Sequence, residues 1–378
     1  MNILWFTWKD KKNPQAGGAE LINEEFAKRL VEDGHQLKFL VAGYKGAKKK
    51  ETRNGYDIIR VGNRYTVYWK AFRYFRKHLQ SWPDLIIEEV NTIPFFTQLY
   101  TSSLSVTPSE ARNLKNKPQR ILLIYQLCRE IWFYQFPFPL SLIGYLLEPI
   151  YLKFLNKNKV ITESESTKKD LLKYGFKKEN IFIFPVGINI RRFRKFAKSL
   201  EFTLLSFGSI RSMKRTHHQV EAFEIAKKQI PQLKLIVAGD SNNSYGHKVI
   251  RVINSSLYKK DITYLERVDE KRKSQLMEHC HLLLATPVKE GWGLVITEAN
   301  SKGTPAIVYN VDGLRDSVKN NITGLVCRDN TPDDMAKNII RAFKDKFLYK
   351  RLQRNALNFS KSFTFDRSYK EFKKILRL

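Results

Sequence analysis

The chain has 378 residues and 43% hydrophobic content, enough for two domains of ordinary size, each with its own core. Its 67 Lys and Arg against 37 Asp and Glu give a formal charge of +30, a field that attracts polyanions such as nucleic acid or an anionic lipid surface. Three cysteines, Cys128, Cys280 and Cys327, form no metal-ligand spacing and suggest buried thiols in a reducing cytosolic setting.

The opening run, MNILWFTWKDKK, predicts a strand at 2–8 followed by charge, and lacks the layout of a signal peptide. Apolar positions at helical spacing follow at 18–31. Further strands are expected at 36–42, 57–61, 84–90, 120–126, 159–162 and 181–185, with helical patterns between most of them. Residues 64–79, RYTVYWKAFRYFRKHL, place Tyr68, Phe72, Phe75 and Leu79 on one helical face, joined by Trp69. Lys70, Arg73, Arg76 and Lys77 occupy much of the rest. Such a helix suits the headgroup region of a membrane, or packs its stripe into a core. Residues 136–155 offer a second greasy surface but no bilayer span, which needs roughly 20 apolar residues. Glu148, Lys153 and three prolines interrupt them.

The basic segment 187–200 lacks an apolar period and reads as an inter-domain linker. Strands are then expected at 202–207, 234–238, 261–265, 281–285, 306–309 and 324–327, again separated by helical stretches. The rhythm predicts an α/β chain of two Rossmann-like, doubly wound parallel-sheet domains, residues 1–186 and 187–361.

Three segments carry candidate chemistry. The loop NPQAGGAE after the first strand is not the spaced-glycine dinucleotide fingerprint, which argues against a nicotinamide enzyme. Gly17 and Gly18 there either expose amides to an anion or mark a flexible turn. The run FGSIRSMKR after the strand at 202–207 holds Arg211 and Lys214, fixed cations for a leaving phosphate or a solvated basic loop. The neighbours His217 and His218 point in different directions on a helix and read as structural residues, not joint metal ligands. Finally, EGWGLVITEA places Glu290 in a loop and Glu298 inside a helix expected at 294–302. The free amides of Gly293, Leu294 and Val295 lie between them. A nucleotide sugar has the matching order of sugar hydroxyls, diphosphate and ribose hydroxyls. Either Glu alone reads as an ordinary solvated residue.

The E-x7-E pattern followed by ANSKGTPAIV resembles the donor-site signature of retaining glycosyltransferase family 4, whose architecture, called GT-B, has two Rossmann-like domains facing across a cleft. The resemblance implies that Glu290 contacts the donor sugar, Glu298 the ribose and Lys214 the phosphates. The family usually carries Arg directly after the glycine where Ser209 stands here, so Arg211 is the candidate for that charge. By the same resemblance Gly17 and Gly18 face donor phosphates and acceptor, and 160–164, 185–189 and 264–268, which ends at Val268, match family segments. Many members have a His after an N-domain strand. The nearest residue here is Gln126, which cannot act as a base, and Glu130 is a candidate for that task. Pro287 replaces a common Ser. In this family the last helix crosses back onto the first domain, for which 362–378 is the counterpart.

The implied activity is transfer of a hexose from a UDP- or GDP-sugar to a lipid-linked or glycan acceptor. It requires no metal and no cofactor beyond the nucleotide sugar, and is placed in the cytoplasm on the inner face of the membrane. An anionic membrane surface is the expected partner. The alternatives are a soluble transferase making a free saccharide and a basic nucleic-acid-binding protein. For the latter, the charge is not gathered beside a recognisable nucleic-acid module.

Overall fold

Short aliphatic runs between polar turns bury both faces most readily as strands of a parallel sheet. The computed structural model, which describes residues 1–101, 118–189 and 195–378, forms two such sheets. They belong to two compact units, the first made of residues 1–129, 143–185 and 368–378 and the second of 130–142 and 186–367. Residues 130–142 and 362–367 thus group with the second unit. Of the expected linker, residues 190–194 lie outside those described.

In the first unit the strands are β1 (Asn2–Phe6), β2 (Gln36–Val41), β3 (Lys50–Arg53), β4 (Tyr56–Arg60), β5 (Leu85–Glu89), β6 (Gln119–Leu123), β7 (Lys159–Thr162) and β8 (Ile181–Ile183). Their order is β3-β4-β2-β1-β5-β6-β7-β8. All pairs are parallel except β3 with β4, an antiparallel hairpin at the edge of the sheet. Its two-residue turn is Asn54-Gly55, both at positive φ (49° and 82°), the conformation that matches the twist of a tight hairpin. The hairpin anchors the loop after β1, since Arg60 donates to Asp10 at 2.8 Å and to Glu51 at 2.9 Å. Residues 368–378 complete this unit. Phe372 packs on Phe26 (centroids 4.4 Å apart), and the Tyr369 hydroxyl donates to Asp33 at 2.7 Å.

The helix Val67–His78 forms within the expected 64–79, but its aromatic face is not a free surface. Val67, Ala71, Phe75 and Leu79 are buried, while Tyr68 and Phe72 pack against the same cluster beside Phe95 and Tyr100. The core reading of that stripe holds, and Trp69 alone of the named aromatics stands out, 62% exposed.

The second unit holds β9 (Thr203–Phe207), β10 (Lys234–Ala238), β11 (Ile262–Leu265), β12 (Leu282–Ala285), β13 (Ala306–Val308) and β14 (Gly324–Val326), all parallel, in the order β11-β10-β9-β12-β13-β14. The order reverses direction between β9 and β12. In doubly wound sheets the loops leaving such a point diverge and open a crevice at the carboxyl ends of the strands. The chain beyond β9 and the chain beyond β12 are the two segments that carry Lys214 and Glu290.

Candidate active site

The two loops at that reversal are stitched together mainly through backbone. Val288 N–H donates to Met213 O at 2.8 Å. The buried Thr286 hydroxyl bonds Lys214 O at 2.8 Å and receives Gln219 Nε2 at 2.9 Å. Arg215, held at a left-handed φ of 49°, sends its guanidinium to Thr286 O (2.8 Å) and Pro287 O (2.6 Å). Lys214 ends the short 3-10 turn Ser212–Lys214, and its ammonium pairs with the Glu290 carboxylate. Both side chains keep partial exposure, 30% and 23%, so a ligand can reach them. Arg211 lies at the entrance of the same turn with an exposed side chain.

Glu290 owes its position to the turn on its C-terminal side. Gly293 adopts φ 85° and caps the helix Leu294–Asn300, whose first-turn amides have no acceptor within the helix. The Trp292 indole donates to Thr297 at 2.8 Å and packs on Phe363, fixing the turn from inside. Behind it, Gly313 (φ 74°) leaves no room for a Cβ, which would run into the carbonyl oxygens of Glu290 and Gly291. Lys289 pairs with Asp312 at 3.1 Å, a second tie between the same two segments.

Glu298 lies on the helix and bonds Lys273 through Oε1 at 2.8 Å, with Glu270 also 2.8 Å from that ammonium. Burial pushes the Glu298 carboxyl up from its usual range, against the pull of Lys273. Burial alone would lower Lys273, but Glu298 and Glu270 together hold it raised. Val268 is half-buried just ahead of the helix Glu270–His279, which carries Lys273. Lys273, Thr286 and Gly313 escape a reading of the sequence because their partners are distant in the chain. His217 and His218 take separate roles, each bonding a different tyrosine hydroxyl, Tyr245 at 2.7 Å and Tyr309 at 2.8 Å.

In the first unit the Gly-Gly loop is more occupied than the sequence suggests. Gly17 N–H donates to Glu20 Oε2 at 2.6 Å, and Lys9 stands 3.2 Å from the other oxygen of that carboxylate. The Gly17 amide is therefore taken by the chain's own carboxylate, and Gly18 opens the helix Gly18–Glu32. Gln126 is half-buried, and its Oε1 is buried without a hydrogen-bond partner among the described residues. Glu130, which groups with the second unit, is exposed.

A residue not singled out from the sequence sits beside the helix that the Gly-Gly loop opens. Glu89, at the end of β5, is buried; Oε2 receives Asn23 Nδ2 at 2.6 Å, and Asn23 Oδ1 in turn receives the Tyr125 hydroxyl at 2.7 Å. Burial, then the nearby charge of Glu20, push the Glu89 carboxyl up from 4.5 to about 7. The folded protein thus holds a proton that the unfolded chain releases above pH 4.5. That contribution to stability is complete below pH 4.5 and is lost as pH rises through 7. Glu89→Gln fixes the neutral form. The variant should unfold at a higher temperature than the parent at about pH 8, by the equivalent of about 3 kcal/mol, with the gap closing towards about pH 4. A gap that is equal at both pH values in thermal unfolding would remove this assignment.

Comparison with known proteins follows the same division. The model for "Glycosyl transferases group 1" matches residues 188–359, and that for "Glycosyltransferase Family 4" matches 16–192. The N-acetyl-alpha-D-glucosaminyl L-malate synthase of Bacillus anthracis is 21% identical over 347 residues, 91% of this chain and 89% of that protein. In structure the chain is similar to sucrose-phosphate synthase from Thermosynechococcus elongatus (TM-score 0.76, 18% identity, 100% of this chain and 98% of that one). It is also similar to HepE of Anabaena in complex with UDP and glucose (TM-score 0.74, 17% identity, 100% and 99%). These neighbours share the GT-B fold, two parallel-sheet α/β domains.

Proposed function

Because this chain belongs to the family 4 glycosyltransferases, we propose that it moves a hexose from a UDP- or GDP-sugar to a lipid-linked or glycan acceptor, with retention of anomeric configuration. The proposed place of action is the cytoplasmic face of a membrane. The observation that carries the donor half of this reading is the Lys214–Glu290 pair, held where β9 and β12 diverge. In the structure each group neutralises the other. A nucleotide sugar exchanges that pairing for two better-matched ones: sugar hydroxyls donate to Glu290, and the Lys214 ammonium turns to the diphosphate.

Arg211 and the amides of Gly293, Leu294 and Val295 add positive potential beside the same phosphates. Glu298 receives the ribose hydroxyls through Oε2 while Lys273 steadies Oε1. Val268 lines the nucleoside end; Gly18 and Gln126 are read as substrate contacts, while the Gly17 amide is already held by Glu20. On a retaining course the acceptor attacks the face from which the diphosphate departs, and the departing phosphate helps take the acceptor proton. UDP in the similar HepE structure supports the choice of co-substrate. A second reading, a small soluble acceptor, is supported by the name of the L-malate synthase relative.

Thermal unfolding in the presence of UDP, GDP, ADP and their sugar conjugates tests the donor site. One nucleotide should raise the midpoint; at a hundredfold excess over Kd the stabilisation is about 2.7 kcal/mol. Glu298→Ala should weaken that rise. No shift with any nucleotide, together with salt-dependent oligonucleotide binding, would favour the polyanion-binding alternative instead.

A further inference from the structure

The helix Leu140–Leu155 is apolar on two opposite faces. Its inner face is fixed within the first unit. Glu148, buried, receives the amides of Cys128 (2.7 Å) and Arg129 (2.6 Å). The Tyr151 hydroxyl donates to Thr92 O at 2.5 Å, and Leu152 and Leu155 are fully buried. With that face locked, the other has to point to solvent. Ile143, Leu146, Leu147, Ile150 and Phe154 follow one another at i, i+3, i+4, i+7 and i+11, and are 48%, 57%, 51%, 63% and 47% exposed. An apolar stripe of about 16 Å along a helix, left in water, is a large standing cost in a soluble protein and marks a surface that is covered in use.

The charge pattern identifies the cover. The stripe contains no carboxylate, because the helix's one acidic residue, Glu148, is turned inward. Lys153 lies among the exposed positions and Lys157 follows one turn later, also exposed. Their long stems allow the ammonium groups to reach a headgroup layer while the aliphatic residues sit below it. A second copy of the chain is a poor cover, since each carries +30. The helix is also not a span: among the described residues no helix is long and apolar enough to cross a membrane.

We infer that the outward face of helix Leu140–Leu155, not the aromatic stripe of helix Val67–His78, lies in the interface of an anionic phospholipid bilayer. The inference rests on the proposed action at a membrane surface and assigns the element that makes the contact. The test is co-sedimentation of the full chain with vesicles of phosphatidylcholine alone or mixed with phosphatidylglycerol. The parent should bind the mixed vesicles well and the neutral ones weakly. Leu147→Glu/Ile150→Glu, both outward-facing, should lose at least tenfold in binding to the mixed vesicles while keeping the same thermal shift with nucleotide. If the variant binds like the parent, another surface docks: the inference falls and the membrane reading stands. If the parent binds neither vesicle while still responding to nucleotide, inference and membrane reading fall together and the donor-site reading stands. A parent that is dimeric by light scattering, and monomeric in the variant, would show that a second copy covers the face and overturn the inference.

Discussion

Replacement of Lys214 or Glu290 by alanine is expected to lower turnover about 10²–10³-fold, the cost of removing one preorganised charge from a developing leaving group. The two losses should differ in kind. On the proposed mechanism Lys214 meets a diphosphate whose negative charge grows as the glycosidic bond breaks, so Lys214→Ala should act chiefly on kcat. On the same proposal Glu290 holds sugar hydroxyls in ground and transition states alike, so Glu290→Ala should also raise KM. Stability is expected to change little, since a partly exposed ion pair contributes about 1 kcal/mol or less. The double variant should be little worse than the worse single one, because the two groups act on one bound donor. Full turnover in both single variants, with unchanged unfolding midpoints, would remove this mechanism.

What was legible in the sequence depended on burial. The strands of the second sheet announce themselves because their neighbours cover both faces; Leu282-Leu283-Leu284, for instance, is buried throughout. The edge strand β3 reads Lys-Glu-Thr-Arg and has no apolar run to detect, although the Asn-Gly turn beside it was a usable signal. The helix at 140–155 illustrates the opposite difficulty: with aliphatic residues on both faces, periodicity does not say which one is free. The buried anchor Glu148 decides it, and its partners Cys128 and Arg129 lie twenty and nineteen positions away in the chain.

The donor-site signature gave Glu290 and Glu298, but not the groups that hold them. Lys273 reaches Glu298 from a helix 25 positions earlier, and Thr286 joins the backbone of a loop more than 70 positions earlier. Such contacts follow from the order β10-β9-β12-β13, which brings distant loops to one edge. Motif spacing points to the residues proposed to face a ligand; topology supplies the residues that brace them.

Gly313→Ala should be the most damaging small substitution at the site, costing about 4 kcal/mol or more and abolishing nucleotide-dependent stabilisation. Two effects combine. The φ of 74° is one that L side chains adopt only with strain, and the added methyl would meet two backbone oxygens, those of Glu290 and Gly291. A flexible side chain could swing away from such a contact, but the backbone between Glu290 and Gly293 has little freedom. Trp292 is locked to Thr297 and Phe363 on one side, and Glu290 pairs with Lys214 on the other. Relief therefore requires the loop carrying Glu290 to move as a whole. Gly46→Ala is the matched control, since that glycine also has positive φ (81°) but nothing within 4 Å of the added carbon. It should lower the unfolding midpoint by the backbone cost alone and leave the nucleotide response intact. Equal behaviour of the two variants in thermal unfolding with and without nucleotide would mean that Gly313 serves the turn and not the position of Glu290.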